Sequence, residues 1–118
     1  MLETSELFET LRMELRRGSL TLAAIAALRE EQYGYSLRKA LAEQGMEIDE
    51  GTLYPLLRRL EAQGLLTSEW REAEKRNKRF YRLSQAGEAM LAALWDEWRS
   101  IDDSLKGILK EEHDGPSR

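Results

Sequence analysis

Between residues 64 and 84 the apolar period of this chain drops from 3.6 to 2, and after residue 84 it returns to 3.6. Leu66-Thr67-Ser68-Glu69-Trp70-Arg71 and Lys78-Arg79-Phe80-Tyr81-Arg82-Leu83 alternate as strands, separated by the charged turn Glu72–Asn77. Two strands alone do not make a stable sheet, so this hairpin has to pack on the helices around it. With 118 residues the chain forms one domain, and a domain of that size buries about two-thirds of its unfolded surface. The expected class is therefore mainly α with a small β-hairpin.

Helical blocks flank the hairpin. Leu7, Phe8, Leu11 and Leu15 mark a first helix over residues 4–17, capped by Thr4 or Ser5 and stopped by Gly18 after the basic pair Arg16-Arg17. Ser19 caps a second helix to about Glu31, with Leu20, Ile25 and Leu28 inside and four alanines that allow close packing. Tyr33-Gly34-Tyr35 breaks it. A short third helix, about Tyr35 to Gln44, turns Leu37, Ala40 and Leu41 inward and stops at Gly45. A connector anchored by Ile48 leads to a fourth helix, from near Asp49–Gly51 to before Gly64; Pro55 is tolerated only near a helix start, which pins that boundary. Ser84 caps a last helix to about Glu112. Its apolar residues Leu91, Leu94, Trp98, Ile101, Leu105 and Ile108 are spaced 3, 4, 3, 4, 3, the seam of a coiled coil, and Trp95 and Leu109 widen the stripe. The expected division is 1–83 for an N-terminal helix plus winged helix-turn-helix, 84–114 for a coiled-coil-like helix, and 115–118 for a disordered tail.

Composition removes several function classes. There is no cysteine, hence no disulfide, no thiolate metal site and no cysteine nucleophile, which fits a reducing cytoplasm. The one histidine, His113, lies near the end, far from any catalytic partner. No nucleophile–base pair, metal-ligand spacing or glycine-rich phosphate loop is present, so neither an enzyme nor a cofactor is expected. No apolar run approaches the ~18 residues of a membrane span, and Met1–Glu6 lacks the basic-then-apolar order of a secretory signal. The formal net charge is −4, yet eight basic and four acidic side chains fall within residues 58–83, a local excess of four positive charges. A local patch matters more for phosphate binding than the mean charge does, although a charge run by itself also reads as a solvated surface.

Three compact helices followed by a hairpin give the plan of a winged helix-turn-helix, in which one helix enters the major groove and the hairpin, the wing, touches the backbone beside it. The helix at 50–63 is the candidate reader. Leu53, Leu56, Leu57 and Leu60 fall in one arc, and Gly51, Pro55, Arg58 and Ala62 in the opposite one, flanked by Thr52, Arg59 and Tyr54. The outer arc is slim near its start and carries arginine further along, suited to guanine edges and phosphates. Taken alone it is the solvated face of an ordinary amphipathic helix; the hairpin changes the reading. Lys75, Arg76, Lys78, Arg79 and Arg82 fall within eight residues with no acid among them. Thr52 and Arg58 are the candidates for groove contacts. Tyr54, Arg59, Arg38 and Lys39 are candidates for phosphates, and Arg76, Lys78 and Arg79 for the wing. Arg82 has the alternative of pairing with an acid, Phe80 or Tyr81 reads as core rather than as a base-stacking platform, and Trp70 reads as structural. Asn77 is the residue expected to take a left-handed backbone at the wing tip.

Gly51-Thr52-Leu53-Tyr54-Pro55, then Leu57, Arg59-Leu60-Glu61 and Gly64-Leu65, together with Arg79-Phe80-Tyr81-Arg82-Leu83-Ser84 running into Gly87, resemble the signature of PadR-type transcriptional regulators. Tyr33-Gly34-Tyr35 with Leu37 resembles the start of the family's second helix. The resemblance covers about residues 18–95 and is closest to the short branch with one C-terminal helix. It implies a cytoplasmic homodimer that binds a palindromic operator in double-stranded DNA and usually represses transcription. It implies dimer contacts through Leu91, Leu94, Trp98, Ile101, Leu105 and Ile108, with Leu7, Phe8 and Leu11 of the N-terminal helix packing across the partner. Asp96-Glu97-Trp98-Arg99-Ser100-Ile101-Asp102 is similar to the dimer helix of the family's multidrug-sensing repressors, which implies stacking of a planar aromatic effector on Trp98, with Trp95 as a wall and Asp102 as a nearby acid. Trp98 equally fills a closed seam without any ligand. The alternative function is a winged-helix protein–protein module, an antirepressor or adaptor, without sequence-specific DNA binding.

Overall fold

The computed structural model describes residues 2–113, with side chains over 4–110; the tail at 114–118 lies outside the described residues. The elements run α1 (Leu2–Ala27), β1 (Gln32–Tyr33), α2 (Gly34–Glu43), α3 (Glu50–Ala62), β2 (Leu66–Ala73), β3 (Arg76–Leu83) and α4 (Gln85–His113). The mainly helical class with a wing and a long last helix is what the sequence predicts.

The two helices expected on either side of Gly18 are one. Gly18 meets no atom beyond its own helix within 4 Å, so its interior position costs only the roughly 1 kcal/mol by which glycine trails alanine. The would-be cap, Ser19, instead donates its hydroxyl back to the Arg16 carbonyl at 2.8 Å, a bond made inside a helix rather than at its start. Arg16 does not neutralise a helix end either. Its Nη2 donates to the Gly45 carbonyl at 2.7 Å and fastens the middle of α1 to the end of α2.

The core is formed by Ala24, Ile25 and Leu28 of α1, Leu37 and Leu41 of α2, Leu53, Leu56, Leu57 and Leu60 of α3, and Leu66, Tyr81 and Leu83 of the sheet. Ile48 is half-buried against it. Asp49 caps α3 by accepting the Thr52 backbone N–H at 2.8 Å; the hydrogen bonds from Thr52 hold the Asp49 carboxyl below the usual carboxylate range. Gly45 and Gly64 have φ +83° and close α2 and α3, with Met46 donating to Leu41 at 2.8 Å and Leu65 to Leu60 at 3.0 Å.

The sheet is ordered β1-β3-β2 and is antiparallel throughout. The two residues of β1 escape the sequence reading because a strand that short carries no period. They add a third strand, which a hairpin needs for stability. The wing turn is tighter than expected: Ala73 pairs with Arg76, and Glu74 (φ 55°) and Lys75 (φ 66°) form the turn in left-handed backbone. Asn77 therefore lies in the β3 ladder opposite Glu72, not in the turn. Two successive left-handed residues match the twist of the strands they join.

Candidate nucleic-acid interface

Helix α3 presents Leu53, Leu56, Leu57 and Leu60 to the core, so Thr52, Pro55, Arg58 and Arg59 are left exposed. Among the described residues Lys39, Arg58, Arg59 and Arg76 form no ion pair with an acid, and Arg76 stands beside the wing turn. These four cations are available to phosphates. Tyr54 is half-buried and packs on the start of α2 so closely that a Cβ on Gly34 would fall 2.7 Å from its Cζ.

The other three cations named for DNA are held within the protein. Arg38 donates Nε to the Ile48 carbonyl at 3.3 Å and Nη1 to Glu50 Oε2 at 3.1 Å. Lys78 Nζ donates to Glu74 Oε1 at 2.7 Å and lies 4.1 Å over the Tyr33 ring, which leaves its side chain 14% exposed. The Glu74 hydrogen bond raises the Lys78 ammonium above the usual lysine range and lowers Glu74, so this pair stays charged at neutral pH. Arg79 donates Nη2 to Glu61 Oε1 and Nε to Ser68 Oγ, each at 3.0 Å. Arg82, for which pairing with an acid is the alternative reading, is exposed and makes no ion pair among the described residues. On the sheet face it shares with Lys78 and Arg82, Arg71 pairs with Glu31 and, at 2.8 Å, with Glu69, and covers Phe80 at 4.0 Å.

Trp70, read as structural, is exposed; its ring lies 5.6 Å from the Arg79 guanidinium. Tyr81 is buried, as expected, and burial pushes its phenol up.

Each of the two long helices also exposes apolar side chains. Leu91 and Leu94 are half-buried against the core of their own protomer. Beyond them exposure climbs along α4, from 38% at Trp98 through 44% at Ile101 and 51% at Leu105 to 64% at Ile108. Trp95 is half exposed. Asp102 is half-buried and accepts from Lys106 at 2.9 Å, one helical turn on. On α1, Leu7, Phe8, Leu11 and Leu15 are all more than half exposed. Apolar stripes that face water are the kind of feature that interaction surfaces are made of.

Residues 22–93 match the family described as transcriptional regulator PadR-like. A transcriptional regulator of Mycobacterium tuberculosis, Rv3488, is 37% identical over 97 residues, covering 81% of this chain and 88% of the relative. The chain belongs to the PadR-like family. Among solved structures, a PadR family transcriptional regulator from Eggerthella lenta superposes with a TM-score of 0.88 at 38% identity, covering 92% of this chain and 97% of that one. A PadR-like transcription factor from Bacteroides fragilis gives 0.71 at 31%, covering 84% and 98%. This PadR-like chain is a transcriptional regulator with a winged-helix DNA-binding fold, and its family is not one of enzymes. Among the described residues no helix is long and apolar enough to cross a membrane.

What sequence reasoning missed in this PadR-like domain is the carboxylate side of the interface. Glu61, Glu74 and Glu50 each occupy a cation named for phosphate binding. The spacing of Glu74 and Lys78, four apart across a tight turn, is a signal the sequence carries once the turn is known to be two residues. Glu61 and Arg79 are 18 residues apart, and no local pattern announces their contact.

Proposed function

We propose that this chain is a cytoplasmic homodimeric repressor. Residues 1–83 bind DNA, and 84–114 pair the protomers through Trp98, Ile101, Leu105 and Ile108, with Leu7, Phe8 and Leu11 across the partner. Leu91 and Leu94 brace the helix on its own domain. Two α3 helices enter successive major grooves of a palindromic operator, about one helical turn apart. The observation that carries this reading is the sorting of the cations. In an acidic chain, Arg58 and Arg59 on the outer face of α3, Arg76 beside the wing turn and Lys39 on α2 are all exposed and form no ion pair among the described residues. Thr52 and Arg58 read bases; Arg59, Arg76 and Lys39 contact phosphates.

A planar aromatic, preferably cationic, ligand stacks on Trp98 between the protomers, with Trp95 beside it and Asp102 exchanging Lys106 for the ligand's charge. It relieves repression to the extent that it binds the DNA-incompetent arrangement more tightly. A planar cationic dye is expected to quench indole emission in the wild type and not in Trp98→Ala; equal quenching in both removes the ligand site.

The test of the DNA reading is selection of duplexes from a random pool, then salt titration of the best one. A palindrome is the expected product. Loss of each phosphate contact lowers the slope of log affinity against log salt by about 0.9. Arg76→Ala is therefore expected to reduce the slope by roughly two in a dimer, while Lys78→Ala leaves it unchanged because Glu74 already holds that ammonium. A folded dimer that enriches no duplex at low salt transfers the assignment to a protein-binding module.

A further inference from the structure

Glu61 is out of place by charge alone. It lies one turn after Arg58 on the reading helix, where a carboxylate repels the phosphates that its neighbours attract. Its contacts account for it. Glu61 Oε1 accepts from Arg79 Nη2 at 3.0 Å, Glu61 Oε2 accepts the Ser68 hydroxyl at 2.7 Å, and Ser68 Oγ accepts from Arg79 Nε at 3.0 Å. The three bonds close a ring that joins α3 to both wing strands. All three side chains are half-buried, so water competes only in part. The Arg79 guanidinium is also flanked by the Trp70 and Tyr81 rings at 5.6 and 5.5 Å. Beyond Trp70 and Arg79 the hairpin continues for three more pairs to its turn, so a small rotation at the ring becomes a large displacement at Arg76.

We propose that Glu61, Ser68 and Arg79 are positioning residues: they clamp the wing at the angle to α3 that lets helix and wing tip meet phosphates of one groove together. The proposal rests on the DNA-binding reading above and adds what that reading does not contain, that an acid inside the interface strengthens DNA binding. Electrostatics and geometry predict opposite signs here. Glu61→Gln removes a negative charge from the binding face, so charge alone predicts tighter binding. It also removes the charge-assisted half of the ring, and a wing free to swing loses affinity.

The experiment measures operator affinity and salt slope for the full chain and its variants, with folding followed by thermal melting and wing mobility by hydrogen exchange. Glu61→Gln is expected to bind about tenfold more weakly, as befits one charge-assisted hydrogen bond. Its salt slope stays unchanged and its β2–β3 amides exchange faster. Arg79→Lys keeps the charge but not the fork and is expected to lose as much; the double variant loses no more than either single. Ser68→Ala, which removes only the bridging hydroxyl, repeats the loss in smaller degree and serves if Glu61→Gln melts near the assay temperature. Operator binding by Glu61→Gln as tight as the wild type's, full affinity in Arg79→Lys, or a lowered salt slope in Arg79→Lys overturns the clamp. A wild type that retains no duplex removes the DNA-binding reading itself, which separates the two failures.

Discussion

Leu105→Glu is expected to convert the dimer to a monomer and to weaken operator binding by at least ~100-fold, the gain that tethering two binding modules ordinarily supplies. Leu105 is 51% exposed in the protomer, so the substitution leaves the domain's own core untouched. Its effect falls on the proposed partner contact, where it would bury a carboxylate in an apolar seam. Each monomer still offers one α3 and one wing, so it keeps half the phosphate contacts and the salt slope falls by half. Sedimentation and the salt titration together check this. A Leu105→Glu variant that remains dimeric places the dimer contact elsewhere and removes the seam reading. A monomer with undiminished affinity removes the two-half-site reading instead. Ile108→Glu is a milder probe of the same stripe, about one turn further along α4.

The apolar stripe of α4 is legible because it is local: six residues at alternating intervals of three and four lie on one helix face whatever the rest of the chain does. The same holds for the leucines of α3 and the alternation of β2 and β3. Gly18 misled for the opposite reason. Glycine after two arginines is a helix-end signal, and only the distant Gly45 carbonyl, which captures Arg16 at 2.7 Å, and the unobstructed surroundings of Gly18 show why the helix continues. The wing tip misled because side-chain preference pointed to Asn77, whereas strand register, fixed by Leu66 opposite Leu83 at the far end, forces the turn onto Glu74 and Lys75. At the binding face, sequence supplied the cations but not their occupancy. Arg79 and Arg76 look alike in a basic run; one meets Glu61 across the fold and the other meets no acid among the described residues. That difference is tertiary, and it decides which of them can release a counterion from DNA.

The same substitution at two glycines of α4 is expected to act with opposite signs. Gly107 meets nothing within 4 Å, so Gly107→Ala gains helix propensity and stabilises by about 0.5–1 kcal/mol. Gly87 is buried. A Cβ there would overlap the Leu65 carbonyl oxygen and approach Leu83 Cδ2 to 3.0 Å. That carbonyl cannot simply swing aside, because it accepts the Ser84 backbone N–H at 3.0 Å. The Ser84 hydroxyl in turn donates to the Gly64 carbonyl at 2.6 Å and accepts the Gly87 N–H at 3.0 Å. Overpacking of this kind costs roughly 1–3 kcal/mol and a lost hydrogen bond about 1 more, which outweighs the propensity gain. Gly87→Ala is therefore expected to melt on the order of 10 °C lower. The consequence reaches function, since this junction sets the direction in which α4 leaves the winged domain and hence the spacing of the two reading helices. At temperatures where Gly87→Ala is still folded, its preferred half-site spacing should broaden while contacts within each half-site persist. A thermal midpoint equal to or above the wild type's would mean that α4 slides freely over Leu65, and the junction would then not govern operator spacing.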